Sequence, residues 1–306
     1  MKSSQNERVP LLKQCVGQLG LALTVGLLRL FAVLPYGWVA RLGHAVGTML
    51  YAIPSSRKHI ALVNLRLCFP DKSAREYDDL ARAHFQHVIR SYFERGIQWF
   101  GSEQSLQKLV RIESRIDLEA QDAAPTIFLG FHFVSIEVRC ILYSTRLPAA
   151  SLYTRMSNER LCEVARRQRG RFGAQMIERS TSARKIVGLL RSGIPVMLAA
   201  DMDHGIENSV FVPFFGVPAC TLTSVSRLAK LAGARVVPFV TQVLPDYQGY
   251  KLTVYEPLSG FPSESDTLDA SRINALLETL IRPCPEQYYW VHRRFKSRPA
   301  GEAGVY

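Results

Sequence analysis

A chain of 306 residues, 47% hydrophobic and 21% charged, can bury a large core; it is too apolar for global disorder and too charged for a polytopic membrane protein. Its six cysteines fall without a CxxC or any Cys/His zinc spacing, which excludes a disulfide scaffold and fits a reducing compartment. The net charge of +12 is uneven, because residues 1–60 carry Lys2, Arg8, Lys13, Arg29, Arg41, Arg57 and Lys58 against Glu7 alone, so the expected partners are acidic: membrane, acidic protein or nucleic acid.

In chain order, residues 14–28 (QCVGQLGLALTVGLL) hold no charge, but this run is shorter than the roughly 20 residues of a spanning helix. A second apolar stretch, WVARLGHAVGTMLYAIP, embeds Arg41 and His44. Both suit helices lying in the headgroup region better than helices crossing it. No small-residue cleavage site follows, so a removed signal peptide is not expected, and the basic flank favours the cytoplasmic side. After the turn at Phe69-Pro70-Asp71, Ser73 stands three residues before Glu76, a capping-box spacing that predicts a helix running to about Phe100. His84 and His87 on this helix are read as packing.

Short apolar runs then alternate with amphipathic stretches. VRIES, TIFLGF, ASLYT, AQMIE and IPVMLAAD read as strands; the segments through IEVRCILYS, RLCEVARRQR and ARKIVGLLRS read as helices. VFVPFFG is expected to be a strand or extended loop, SVSRLAKLAG a helix stopped by glycine, ARVVPFVTQV and YKLTVYE strands, and LDASRINALLETLIRP a closing helix. The expected fold is therefore α/β: a single domain (61–306) with a mostly parallel mixed sheet flanked by helices, preceded by a membrane-associated helical region (1–60).

TIFLGF ends at His132, with Glu137 five positions on in FHFVSIE. Ligand crevices in open α/β sheets lie at the carboxyl ends of strands, where His132 falls. If His132 occupies the turn before a helix and Glu137 its first turns, the carboxylate can hold one ring nitrogen protonated and leave the other as a general base. The competing reading is a structural histidine at a strand end. No GxSxG elbow, GxGxxG or Walker loop, or HExxH pair occurs, so a base that activates a hydroxyl on substrate or water is the expected chemistry.

FHFVSIE, YTRMSN, AADMDHGIENSVFVPFFGVPACTLTSVSRLAKLAGARVVPF and PEQYYWVHRRFKSRP resemble the late (secondary) lipid A acyltransferases, the lauroyl/myristoyl transferase family of Gram-negative bacteria, and NLRLCFPD resembles its N-terminal block. The resemblance runs from about residue 10 to 300. It implies an O-acyltransferase fold of the glycerolipid acyltransferase type, acting at the cytoplasmic face of the inner membrane. The implied reaction moves a fatty acyl group from acyl carrier protein to a hydroxyl of a lipid A precursor in lipopolysaccharide biosynthesis. His132 would be the base, Glu137 would orient it, and backbone N–H groups beside His132 would receive the oxyanion. Arg155 and Asn158 would bind phosphate or position the acceptor, with an ordinary Asn helix cap as the alternative. Asp201 and Asp203 are read as hydrogen-bonding residues near the substrate rather than as metal ligands, and the Phe-rich VFVPFFG as a lining of the acyl cavity or core. Arg293, Arg294, Lys296 and Arg298 would meet lipid phosphates or the acidic carrier. No cofactor and no metal are expected, and the expected partners are acyl carrier protein, a lipid A precursor and anionic membrane lipids, with no nucleic acid. The rival functions are acylation of another glycolipid or lysolipid, a thioesterase-like hydrolase, and a basic interaction protein with a degenerate site.

Overall fold

The computed structural model describes residues 11–118, 124–140 and 149–306. Its N-terminal third is helical: α1 (Leu11–Val33), α2 (Tyr36–Ala52), α3 (Ser56–Cys68), α4 (Ala74–Phe100) and α5 (Glu103–Leu109). Helix α4 begins at the expected capping box, in which the Ser73 hydroxyl accepts from the Glu76 N–H and the Glu76 carboxylate accepts from the Ser73 N–H. Two orphan donors are thereby satisfied at once. Helices α3 and α5 were not anticipated; each starts at a serine cap, Ser55 and Ser102.

Helices α1 and α2 both lie on α4. Leu28 and Phe31 of α1 are buried there, with Phe31 stacked on Phe93 at 4.9 Å. Gly47 of α2 approaches so closely that a Cβ would stand 2.6 Å from the Gln86 Cα. The opposite faces are apolar and uncovered: Leu19, Leu23, Leu27, Leu30 and Val33 on α1, and Trp38, Leu42 and Met49 on α2, are all exposed, Val33 by 78% and Trp38 by 72%. No described helix is long and apolar enough to cross a membrane.

The remainder alternates strand and helix as expected: β1 (Val110–Ser114), β2 (Thr126–Gly130), β3 (Ala150–Tyr153), α6 (Glu159–Gly170), β4 (Gln175–Glu178), α7 (Ala183–Arg191), β5 (Val196–Ala199), the hairpin β6 (Ser209–Phe214) and β7 (Val217–Leu222), α8 (Ser224–Ala232), β8 (Arg235–Val243), β9 (Tyr250–Val254) and α9 (Asp266–Ile281). Strand β7 was not anticipated. The helix expected through IEVRCILYS is a 3-10 segment at Ile136–Cys140, and the rest of that stretch lies outside the described residues. The main sheet runs β1-β9-β8-β2-β5-β3-β4, parallel from β8 through β4, with β9 antiparallel to β8. The mostly parallel sheet flanked by helices is thus present. Strand β2 is wholly buried and β5 nearly so, which is why their sequences are unbroken apolar runs rather than alternating ones.

Chain order and spatial order differ where it matters. Strand β5 inserts between β2 and β3, and its register sets Gly130 of β2 beside Ala199 of β5. The two strands therefore end level, and the residues two positions beyond each end, His132 and Asp201, emerge side by side.

Candidate active site

His132 leaves the end of β2 in a tight turn. A Cβ on Gly130 would stand 2.5 Å from the Phe239 ring, so only glycine lets β2 run this close to β8 before the turn. The C-terminal segment fixes the far side of the turn: the Tyr289 N–H donates to the His132 carbonyl at 3.0 Å, and the Val134 N–H donates to the Gln287 carbonyl at 2.9 Å. Asn64, from NLRLCFPD, donates in turn to the carbonyls of Trp290 and His292, each at 2.7 Å. The N-terminal block therefore braces the segment that braces the histidine.

Asp201 grips His132 at two points. One carboxylate oxygen lies 2.6 Å from Nδ1, and the other accepts the His132 backbone N–H at 2.8 Å. The aspartate side chain is fully buried, whereas the imidazole is about a quarter exposed. Burial pushes the Asp201 carboxyl up, but the nearby imidazole and the N–H groups outweigh it, and the group is held below its ordinary range. An ionised acceptor facing Nδ1 keeps the proton there and leaves Nε2 as a free base. The orienting hydrogen bond expected from Glu137 is thus made by Asp201.

The reason is where Glu137 stands. In the 3-10 turn after His132 its carboxylate faces α6 and α4: Arg169 donates to both oxygens, through Nε at 2.9 Å and through Nη2, and the Trp99 indole N–H donates at 3.2 Å. Burial opposes ionisation of Glu137, but the Arg169 guanidinium prevails and holds the carboxyl far below the carboxylate range. Glu137 is a buried anion paired with α6 beside His132's turn.

Asp203 is likewise committed. Its carboxylate accepts from the Ser297 N–H at 2.6 Å, the Ser297 hydroxyl at 2.9 Å and the Gly205 N–H at 2.9 Å, while its own N–H donates to His292 Nε2 at 3.2 Å. Among the described residues no three His, Cys, Asp or Glu side chains come together to hold a metal ion. Asn158 caps α6, accepting from the Leu161 N–H at 3.0 Å, which is the ordinary cap reading. Arg155, at the end of β3, is exposed and lies 3.9 Å from both Glu159 and Glu178.

Burial and bonding correct the reading of the basic run and decide between the two readings of VFVPFFG. Arg294, read as part of a surface run, is 1% exposed and donates to the Cys220 carbonyl at 2.7 Å and the Thr221 hydroxyl at 2.9 Å. Arg298 bonds the Pro218 carbonyl and Glu302, so of that run Arg293 and Lys296 are the exposed cations. In VFVPFFG, Phe214 is wholly buried against Tyr288 and Phe295, and Phe215 packs on Phe69 and Trp290, so these two rings take the core reading. The N–H groups of His132 and the two residues after it are engaged: His132's by Asp201, Phe133's by the Phe131 carbonyl and Val134's by Gln287.

Sequence reasoning did not single out Arg169, Trp99, His204 or His292. His292 is largely shielded beside His132 and Asp201, and burial lowers it to about 4, so it is neutral near pH 7, whereas His204 is exposed. Their signal lay in the DMDHG and YWVHRRF stretches, whose spatial meeting follows only from the strand order.

Fold and site together define an α/β protein with a carboxylate-held imidazole, free to accept a proton, at the carboxyl edge of its sheet. The model of one family, the bacterial lipid A biosynthesis acyltransferases, matches residues 14–297, and the chain belongs to that family. It is 33% identical over 285 residues to a lipid A biosynthesis palmitoleoyltransferase of Escherichia coli K12, covering 92% of each chain. It is 32% identical over 288 residues to the lauroyltransferase of the same organism, covering 93% of this chain and 94% of that one. The myristoyltransferase of that strain is 28% identical over 281 residues, with coverage of 88% and 83%. A crystal structure of a 1-acyl-sn-glycerophosphate acyltransferase from Thermotoga maritima aligns with 78% of this chain and 94% of its own at 13% identity, with a TM-score of 0.37, too low to bear on the fold.

Proposed function

We propose that this chain transfers a fatty acyl group from an acyl carrier protein thioester to a hydroxyl of a lipid A precursor, with His132 as general base. The observation that carries the reading is the two-point grip of buried Asp201 on His132 at the sheet's carboxyl edge, which makes Nδ1 the donor and Nε2 the acceptor of a neutral ring. Nε2 takes the acceptor's O–H proton as that oxygen attacks the thioester carbonyl. The tetrahedral intermediate collapses, the C–S bond breaks, and the thiolate leaves with the proton that the imidazolium returns. Asp201 stabilises the transient imidazolium in the role that an aspartate plays in a catalytic triad, here without a protein nucleophile. Glu137, through Arg169 and Trp99, fixes the turn that carries His132 and acts as a positioning residue.

The membrane side of the reading rests on α1 and α2, whose exposed leucines, Trp38 and Met49 form an apolar surface with few charges. Such a surface suits residence in the headgroup region of the inner membrane's cytoplasmic leaflet, where both a lipid acceptor and a soluble carrier are within reach.

The test is transfer of labelled acyl chain from acyl carrier protein to a tetra-acylated lipid A precursor in detergent micelles. His132→Ala is expected to lose roughly 10²–10⁴-fold in kcat, and Asp201→Asn about as much by inverting the tautomer. Full activity in Asp201→Asn would overturn the assignment. Release of free fatty acid with acceptor present would replace transfer by hydrolysis.

A further inference from the structure

The segment that braces His132 also reaches Asp201. Residues 287–292 hold the turn after β2 through the Gln287 carbonyl and the Tyr289 N–H, and Tyr288 pairs with Phe133 in an antiparallel bridge. On the other side the Tyr288 hydroxyl donates to the Asp201 carbonyl at 3.4 Å, and His292 Nε2 accepts the Asp203 N–H at 3.2 Å. One short segment therefore touches both halves of the His132–Asp201 pair, and displacing it moves one half against the other.

A single amide holds that segment to the helical third of the chain at two carbonyls. Asn64 on α3 is fully buried and gives its two side-chain N–H hydrogens to Trp290 and His292. Its oxygen can only accept, and the proton it accepts is that of the Tyr306 hydroxyl. Tyr306 Oη accepts in turn from the Phe295 N–H at 3.0 Å, three residues past His292. The tyrosine ring packs on the core, and Arg293 lies over its face, 5.8 Å from the centroid.

Of the two orientations open to the Asn64 amide, one serves the site. Turned over, it would set its oxygen against a carbonyl; the Tyr306 hydroxyl selects the orientation in which both N–H hydrogens meet the segment. With all of its donors and its acceptor engaged, a buried amide of this kind holds one geometry. Without the hydroxyl, Asn64 Oδ1 and the Phe295 N–H lose the partner they share, and the amide is free to turn.

We propose that Tyr306 is a positioning residue for the base: through Asn64 and residues 287–292, its hydroxyl sets the alignment of His132 with Asp201. The inference rests on the acyl-transfer reading above.

Two measurements on the full chain in detergent micelles test it. The first is steady-state transfer below the melting transition of each variant. Y306F removes the hydroxyl and keeps the ring; it is expected to lower kcat about tenfold with both KM values within about twofold, since a misaligned base slows the chemistry rather than the binding. Y51F, which deletes a hydroxyl bonded to Asp78 on α4, controls for lost stability and should keep its kcat within about twofold. N64A is expected to lose at least as much as Y306F, and N64A/Y306F no more than N64A, because the hydroxyl acts through the amide. Full kcat in Y306F, an equal fall in Y51F, or losses that multiply in the double variant overturn the proposal. The second measurement needs no turnover: it is the downfield proton resonance of the His132 Nδ1–H bonded to Asp201, identified by its absence from H132A. Y306F is expected to move it upfield and Y51F to leave it in place. An unmoved resonance in Y306F overturns the proposal. If the wild type transfers no acyl group, the acyl-transfer reading fails, while the resonance still decides the role of Tyr306.

Discussion

Two carboxylates near His132 divide the work by what surrounds them. Asp201 faces Nδ1 and a backbone N–H, so it can hold a tautomer; Glu137 faces a guanidinium and an indole, so it can hold a turn. The difference is testable because the two deletions fail differently. Glu137→Gln keeps the Trp99 hydrogen bond but takes the Glu137 charge away from Arg169, which is only 16% exposed. Breaking a buried pair from one side typically costs about 3–5 kcal/mol, so Glu137→Gln is expected to lower the denaturation midpoint strongly. Its remaining folded fraction should keep a kcat well above that of Asp201→Asn. A stable Glu137→Gln protein as inactive as Asp201→Asn would instead put Glu137 in direct contact with the chemistry. Arg169→Met in the Glu137→Gln background is expected to recover part of the stability, since it removes the cation that Glu137 neutralised.

At the scale of elements, α1 and α2 each carry two faces, one fixed and one idle. The inner faces are held to α4 by Leu28, Phe31 and the close approach at Gly47, while Leu23 and Trp38 are exposed by 65% and 72%. Surface charges at the outer positions therefore leave the packing intact. Taking one such side chain out of an apolar contact removes about 1.5–3 kcal/mol. The Leu23→Glu/Trp38→Glu double variant is accordingly expected to bind anionic vesicles at least tenfold more weakly in co-sedimentation, with an unchanged melting temperature. Undiminished vesicle binding would remove α1 and α2 from the membrane contact. Much of this level was legible in the sequence, because helix starts and strand runs are written locally: Ser73 and Glu76 announce α4, and the buried β2 reads as TIFLG. Helix α3 escaped because Arg57, Lys58 and His59 obscure its apolar face, although Asn64 on it anchors the C-terminal segment.

What was not legible belongs to the whole molecule. The role of Asp201 depends on β5 lying beside β2, that of Arg169 on α6 turning its last residues toward the 3-10 segment, and the burial of Arg294 on the β6–β7 hairpin offering its carbonyls. No local pattern separates Arg169 from Arg166 or Arg167, which bind Glu163 at the surface. The same long-range packing creates a pH dependence of stability. His84 is fully buried, its Nδ1–H donates to the Glu286 carbonyl at 3.0 Å, and its Nε2 has no partner among the described residues, so protonation there would bury an unsatisfied N–H. Burial lowers His84 to about 4 and His87 to about 3, with nearby Arg90 adding to the shift of His87, and His292 also stands at about 4. In an unfolded chain each titrates near 6.5. Between these values the unfolded state binds more protons, so the stabilisation is complete above about pH 6.5 and is lost as pH falls towards 4. His84 alone accounts for up to about 3 kcal/mol of that loss. Glu94, whose carboxyl burial pushes up despite Arg90, works in the opposite direction, and the carboxylates held low by their partners, such as Glu163 at about 2, begin to matter only below the histidine window. Urea midpoints taken from pH 7.5 to 4.5 should therefore fall steeply below 6.5, and His84→Gln should flatten the slope by its share. A midpoint constant between pH 7 and 5 would show that these imidazoles are hydrated in the folded protein.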